Sequence, residues 1–535
     1  MALVEDRAVP FVHMFETERF KYAYDINTAR VLRVNPIIYS LLSHWDWADN
    51  RIGAMLNEQE ERVSAARTTV LKLSAENEYF STKRPLSIDT FHTRRRIEKK
   101  LETECRQMTL GVSEQCNMRC AYCPYTGNSP GERRHSAKLM SWETARAAID
   151  FFVDHCSGTW DEYYRQRAEI KGGRIIKRMD LMNRPCIGFY GGEPLINWPV
   201  IKRAIEYIRA LPRGHEYHIN MTTNGTLLEP RIVDFLARKQ VALLVSLDGP
   251  RAYHDRYRRM ANGEATFDLI ASRLSYIHDT YPEYYDRQVG LMMVVAPPAD
   301  WLKLLEFELT WELMPERPST FTVIGEMTPR SFWDQVPQGS AIANADLMWQ
   351  QYCDEIIRGN IPYRPEIFDK KEYRKIAFLR SMWDVQLLTV YGRTRNILGG
   401  STQVPDRVHT HFGMCLPGEL RIFVTADGRF LPCERVPSEA QAFQIGDVSS
   451  GFNFNAIGRL CKENAHKVEQ LCLSCWNLRT CHIKCNSIVG ADGRLSRSAR
   501  LRACKKSKEA TNALFVRMCS LLEQEPEALK FLDEI

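Results

Sequence analysis

Between residues 108 and 325 the chain repeats one alternation, a short and largely apolar run followed by a longer amphipathic stretch. The short runs are MTLGVS (108–113), CIGFY (186–190), HINMTT (218–223), ALLVSL (242–247), VGLMMVV (289–295) and FTVIG (321–325). Each has the length of a strand, and most are near-continuously apolar, as in strands buried on both faces. The clearest stretch between them is SWETARAAIDFFVDHC (141–156), where Ala145, Ala148, Ile149, Phe152 and Val153 recur at helical spacing. Ser141 suits the cap of that helix and Glu143 the positive end of its dipole. Strands alternating with helices predict an α/β class with a parallel sheet covered by helices. Such a sheet is either open or curled into a partial barrel.

The remainder divides by pattern. At 535 residues the chain is too long for one core, and roughly 100–200 residues per domain predicts three or four. Residues 10–85 read as a small α+β unit: FVHMFE, FKYAYDI and RVLRVN as short strands, IIYSLLSHW and EERVSAARTTVLKLSAE as helices. A basic linker, partly helical, occupies 86–105, and the strand–helix core is 106–325. A basic insertion at 157–185 interrupts it, too long for an ordinary connection, with a hairpin turn at Gly172 and Gly173. It reads either as a solvated surface loop or as a flap touching substrate. Residues 326–407 form a largely helical bridge, 408–510 a cysteine-rich region and 511–535 a closing helix. A net charge of +6 permits an acidic partner without demanding nucleic acid. No apolar run approaches the ~20 residues of a membrane helix. MALVEDRAVP lacks a basic segment leading into an apolar core, so the expected location is cytoplasmic.

In a reducing compartment, the 16 cysteines call for ligation rather than disulfides. The segment SEQCNMRCAYCPYTG (113–127) places Cys116, Cys120 and Cys123 directly after the first strand of the core. Pro124 and Gly127 discourage a helix there, and loops at the carboxyl ends of parallel strands are where such sheets hold ligands. An iron–sulfur cube usually takes four cysteines. Three leave one iron open, as a catalytic metal site requires. A zinc site completed by a distant residue is the plainer alternative. In FYGGEPL, Gly191 and Gly192 let backbone approach closely and Glu193 can accept hydrogen bonds from an ammonium group. TTNGTLL and SLDGP bring Asn224, Ser246 and Asp248 toward the same rim, though each also suits a turn or a helix cap. A second group comprises Cys415, Cys433 (ending GRFLPC), then Cys472, Cys475, Cys481 and Cys485 in CLSCWNLRTCHIKC, then Cys504. Soft ligands so spaced suit zinc or iron–sulfur.

With these residues in view, the chain resembles radical S-adenosylmethionine (SAM) enzymes. Cys116, Cys120 and Cys123 match their CxxxCxxC signature and FYGGEPL their GGEP motif. The resemblance implies a partial (β/α)6 barrel and a catalytic [4Fe–4S] cluster on those three cysteines, whose open iron binds SAM. A 5′-deoxyadenosyl radical then abstracts hydrogen. It also implies that Glu193, with Gly191 and Gly192, holds the methionine amino group. Tyr122 lies near the adenine, and Asn224, Ser246 and Asp248 near the ribose and carboxylate.

The second group resembles a SPASM extension with two auxiliary [4Fe–4S] clusters. By that resemblance Cys472, Cys475, Cys481 and Cys504 hold the outer one, and Cys415, Cys433 and Cys485 the inner. PDRVHTHFGM lacks the eighth cysteine of some members, so the inner cluster keeps an open iron or uses His409, His411 or Cys461. Residues 10–85 resemble a winged-helix-like peptide-recognition domain, which binds a leader peptide as an added strand. The core segments look like maturases of cysteine-rich ribosomal peptides, which form thioethers. The implied partners are a cysteine-containing precursor peptide and an electron donor such as flavodoxin or ferredoxin. Carbon–carbon crosslinking and formylglycine-type oxidation are alternatives within this chemistry. A non-catalytic iron–sulfur or zinc regulator is the alternative outside it.

Overall fold

The computed structural model describes residues 9–89, 94–125, 134–155, 184–325, 330–361, 369–394, 407–409, 416–481, 485–490 and 492–534, together with Trp160, Thr328 and Ile483. The amino-terminal unit is an antiparallel meander, β1 (Val12–Glu16), β2 (Lys21–Asp25) and β3 (Arg30–Val34), followed by α1 (Pro36–Ser43), α2 (Asp49–Leu56) and α3 (Glu60–Asn77). Successive side chains on a strand point to opposite faces. Here both faces are used. Val12, Met14, Ala23 and Leu32 pack against the unit's own helices, with Leu41, Ile52 and Val63. Phe15, Tyr22 and Tyr24 belong instead to the core of the rest of the molecule. Strands β1 and β3 are the two edges of this sheet, and β3 carries the exposed Arg30 and Arg33.

The chain continues through β4 (Ser87–Asp89) and α4 (Arg94–Glu104) into the core: β5 (Gln107–Ser113), α5 (Trp142–His155), β6 (Cys186–Gly191), α6 (Trp198–Ala210), β7 (His218–Thr223), α7 (Pro230–Arg238) and β8 (Ala242–Ser246). After β8 come α8 (Arg251–Tyr257), α9 (Phe267–Thr280), α10 (Pro282–Gln288), β9 (Val289–Val295), β10 (Ala299–Asp300), α11 (Trp301–Thr310) and β11 (Thr320–Val323). The expected strands therefore form, and Thr144 N–H donates to Ser141 Oγ at 3.0 Å as the cap of α5 predicts. Most of the basic insertion, including Gly172 and Gly173, lies outside the described residues.

Strands β5, β6, β7, β8, β9 and β11 lie side by side in that order, all parallel. Each crossover steps the same way, and right-handed crossovers then put every covering helix on one face. The burial pattern agrees. Ile219, Met221, Leu243, Val245, Leu291 and Met293 are fully buried, whereas the alternate positions Asn220, Thr222, Leu244, Ser246, Met292 and Val294 are only half-buried. The second set faces an interior left partly open and partly polar.

The described part of the bridge supplies α12 (Arg330–Trp333), β12 (Ile342–Ala343), α13 (Ala345–Ile357) and α14 (Lys370–Thr394). After β13 (Arg407–His409), the cysteine-rich region does not stand apart. Its strand β14 (Arg421–Val424) pairs in parallel with β5, and β15 (Arg429–Leu431), β16 (Gly446–Asp447) and β17 (Gly451–Phe452) extend the same ten-stranded sheet in antiparallel fashion. Two helices, α15 (Phe454–Cys472) and α16 (Arg497–Gln524), complete it. Among the described residues, no helix is long and apolar enough to cross a membrane.

The two ends of the chain meet on α16. The Phe515 ring lies 5.4 Å from Phe15 and 4.8 Å from Tyr24, and Glu523 accepts hydrogen bonds from Thr17 Oγ1 and Tyr22 Oη, both at 2.7 Å. Phe515→Ala should cost about 3–5 kcal/mol, the usual loss for a buried aromatic. Chemical denaturation would show it, with faster proteolysis near the amino terminus as a second sign.

Candidate functional site

The loop after β5 carries Cys116, Cys120 and Cys123 to the carboxyl ends of the parallel strands. Its path is set by two backbone pairings. On one side Gly192 N–H donates to Ser113 C=O and Glu193 N–H to Gln115 C=O, both at 2.8 Å. This contact is why the two glycines are needed. A Cβ on Gly191, whose φ is +149°, would overlap Ser113 O, and one on Gly192 would overlap Gln115 O. The close approach made here is backbone to backbone. On the other side, residues 117–121 run antiparallel to 257–261. Arg119 N–H donates to Arg259 C=O, Ala121 N–H to Tyr257 C=O and Ala261 N–H to Asn117 C=O, each at 2.9 Å, with Met118 opposite Met260. By that register Cys120 stands opposite Arg258.

Glu193 is fully buried. Its Oε1 accepts from Leu195 N–H at 3.0 Å and Thr223 Oγ1 at 2.8 Å, and its Oε2 from Asn224 N–H at 2.7 Å. Burial pushes its carboxyl above the ordinary range, and these donors oppose the shift. Asn224 in turn points Nδ2 at Asn117 Oδ1, 2.9 Å away, and at Cys116 Sγ, 3.9 Å away. The carboxylate thus ties the ends of β6 and β7 to the first cysteine. Ser246 ends β8 half-buried, facing the open interior.

Asp248 is also buried. It accepts from Tyr122 Oη and from Val294 N–H (3.0 Å), while its own N–H donates to His254 Nδ1 at 3.2 Å. That donor fixes the His254 tautomer: Nδ1 accepts, and Nε2–H donates to Thr266 Oγ1 at 2.9 Å. Arg258 completes the cluster, with Nη1 3.0 Å from Tyr122 Oη and 3.9 Å from Asp248 Oδ1. The Tyr122 ring stands edge-on to Tyr257 and Phe332, which cover the loop. Arg258, His254 and Phe332 were not singled out in the sequence. In HDRYRR, Arg258 reads as one cation of a solvated run, and only the pairing with the cysteine loop buries it between exposed Arg256 and Arg259.

The three thiols lie close enough to influence one another. Burial, then the neighbouring thiols, pushes Cys123 up to about 12. Cys116 rises to about 11, mainly through burial, and Cys120 is raised for the same reason. Arg258 acts in the opposite sense on all three. Free of metal, these thiols hold their protons, and a metal that binds them displaces those protons. Three soft sulfurs in a loop, beside a partly polar interior, fit an iron–sulfur cluster with one open iron and a polar organic ligand.

In the second group Cys472 ends α15, Cys475 and Cys481 follow in the loop, and Cys504 lies on α16; each of the first three is influenced by the others or by Cys504. Cys433 follows β15 and Cys485 opens a short turn of helix. Cys415 and His411 lie outside the described residues, as does the His409 side chain. Cys461 is buried on α15. Among the described residues, no three His, Cys, Asp or Glu side chains are grouped as a single metal ion requires.

Residues 110–306 match the Radical SAM superfamily. Over 199 residues the chain is 29% identical to the radical SAM cyclopropyl synthase TigE of Paramaledivibacter caminithermalis, covering 35% of this chain and 37% of that one. Over 171 residues it is 26% identical to a serine-type anaerobic sulfatase-maturating enzyme of Bacteroides thetaiotaomicron, covering 32% and 36%. The match thus spans little more than a third of either relative. Among solved structures, native anSMEcpe with bound AdoMet aligns with 80% of this chain and 100% of its own, at 16% identity and a TM-score of 0.45. Streptococcus suis SuiB bound to S-adenosylmethionine aligns over 90% and 95%, at 12% identity and a TM-score of 0.39.

Two outcomes follow from this geometry. Gly191→Ala should lower stability by about 1–3 kcal/mol in denaturant titrations, because the backbone there is strained for any Cβ. Burial holds the His254 imidazole well below its usual range. Below about pH 6.5 the unfolded chain therefore takes up a proton that the folded chain refuses, so this contribution is present above that pH and lost as pH falls. The lead in Tm of the wild type over His254→Asn should narrow between about pH 7 and about pH 5.

Proposed function

We propose, from the premise that this chain carries a radical SAM domain over residues 110–306, that it is an enzyme that modifies a ribosomally made peptide. Cys116, Cys120 and Cys123 would hold the SAM-binding [4Fe–4S] cluster. The reaction takes a hydrogen atom from a carbon of the bound precursor peptide and joins that carbon to a cysteine sulfur as a thioether. The observation that carries this reading is that one loop at the carboxyl end of β5 bears all three cysteines and is tied to Glu193 through Asn224, whose Nδ2 lies 3.9 Å from Cys116 Sγ.

When bound, SAM and the cluster supply the one-electron chemistry that reaches an unactivated carbon. The chain's residues supply the rest. Glu193 and Asn224 fix Cys116, and the pairing of 117–121 with 257–261 fixes Cys120. Asn220, Thr222 and Ser246 offer polar groups on the half-open interior face to a nucleoside-like ligand. Tyr122, Tyr257 and Phe332 form an apolar cover that keeps water from the loop. Cys472, Cys475, Cys481 and Cys504 would hold an outer auxiliary cluster, with Cys415, Cys433 and Cys485 at an inner one. Each would supply an electron acceptor. A flavodoxin or ferredoxin would supply the reducing electron.

A peptide substrate is supported by the sulfatase-maturating relative, whose name states action on a protein. The amino-terminal sheet supports it too. Its β3 edge, which pairs with no further strand among the described residues and bears exposed Arg30 and Arg33, suits an acidic leader added as a further strand. The relative named cyclopropyl synthase favours a second reading, carbon–carbon bond formation by the same domain.

The test is anaerobic incubation of the reconstituted, dithionite-reduced protein with SAM and a cysteine-containing precursor peptide. Wild type should release 5′-deoxyadenosine, and Cys116→Ala/Cys120→Ala/Cys123→Ala should release none. A thioether removes two hydrogens from the peptide mass and leaves a cysteine that no longer alkylates. A carbon–carbon crosslink removes the same mass and leaves the thiol reactive. No 5′-deoxyadenosine from wild type with its clusters in place would defeat the proposal.

A further inference from the structure

The two cysteine groups share a feature that their spacing does not explain: each is built around a buried arginine with an N–H lacking an acceptor. At the first, Arg258 stands opposite Cys120 and its buried Nε has no hydrogen-bond partner among the described residues. At the second, Arg500 is 4% exposed, and both its Nε and Nη1 are buried without a partner. Arg500 and Cys504 are four residues apart on α16 and so share one helix face. The Arg500 charge also acts on Cys472 and Cys481, across the loop.

A buried guanidinium is costly unless negative charge and acceptors meet it. Among the described residues no carboxylate pairs with Arg500, and the titratable groups on which its charge acts are Cys472 and Cys481. Protonated thiols are weak acceptors and carry no charge. A set of thiolates and sulfides around iron provides both charge and acceptors.

We infer that Arg500 is a positioning residue for an anionic iron–sulfur cluster on Cys472, Cys475, Cys481 and Cys504, donating N–H···S hydrogen bonds to it and raising its reduction potential. This rests on the reading that those cysteines hold an auxiliary cluster. Reduction adds one electron and one unit of negative charge to the cluster, and no proton need move. A fixed buried cation and its donors favour that reduced form, since net charge and hydrogen bonds to sulfur set such potentials. A zinc ion on the same thiolates has no redox change for Arg500 to act on.

The test is a redox titration of the full-length, anaerobically reconstituted protein followed by electron paramagnetic resonance. The relevant signal is the one lost in Cys475→Ala. Arg500→Met should keep its iron and sulfide. Its reduction equilibrium constant at this signal should fall at least tenfold, a midpoint lower by about 59 mV for one electron. Arg500→Lys, which keeps the charge but not the paired donors, should fall between that variant and wild type. An unmoved midpoint in Arg500→Met at full iron content overturns the inference and leaves the cluster standing. Should that variant not fold, Arg500→Lys decides: a lowered midpoint supports the inference and an unchanged one overturns it. Zinc at this site in the wild type would overturn the cluster reading and the inference together.

Discussion

A carboxylate sealed inside protein must find its hydrogen-bond donors there, and Glu193 finds three. Those donors come from its own turn and from the end of β7, so Glu193 can be buried only when β6 and β7 end in one relative position. The same constraint reaches the cysteines. Asn224, whose N–H serves Glu193, sends its side chain to Asn117 and Cys116, and the N–H of Glu193 itself donates to Gln115 C=O. A parallel sheet has little intrinsic means of placing a loop to within a fraction of an ångström. Here the placement is borrowed from a group that cannot tolerate being unpaired.

A second lock works by register. Because Met118 lies opposite Met260, the side chain beside Cys120 is determined as that of Arg258. Arg258 in turn holds Tyr122, and Tyr122 holds Asp248, whose backbone depends on a neutral His254. The loop is therefore gripped from both sides, from β6–β7 on one and from the segment after α8 on the other.

The core strands and the cap of α5 were legible because each is local: an apolar run, a helical stripe, a serine at the right offset. The spacing of the three cysteines was legible because it too is local, all three falling within eight residues. What the sequence hid was pairing at long range. Nothing in HDRYRR separates Arg258 from Arg256 and Arg259, since burial is decided by a loop more than a hundred residues away. The cysteine-rich region read as a unit of its own, yet β14 continues the sheet beside β5, an edge that local pattern cannot assign. Glu193 and Asp248 read as groups facing a ligand; their donors and acceptors inside the protein appear only once the strands are side by side.

One face of α16 carries Arg500, Cys504, Lys508 and Asn512 in successive turns, and Asn512 Oδ1 meets His13 Nε2 at 2.7 Å. His13 also lies flat on Trp476, ring centres 3.6 Å apart, in the loop between Cys475 and Cys481. A helix rises about 1.5 Å per residue, so Cys504 and Asn512 are separated by about 12 Å of rigid rod. The rod acts as a ruler. The amino-terminal sheet is seated at one mark and a sulfur at another, with no hinge between them. The amino-terminal sheet and the Cys504 sulfur can therefore change their spacing only if α16 itself bends or slides, so the two move as one piece.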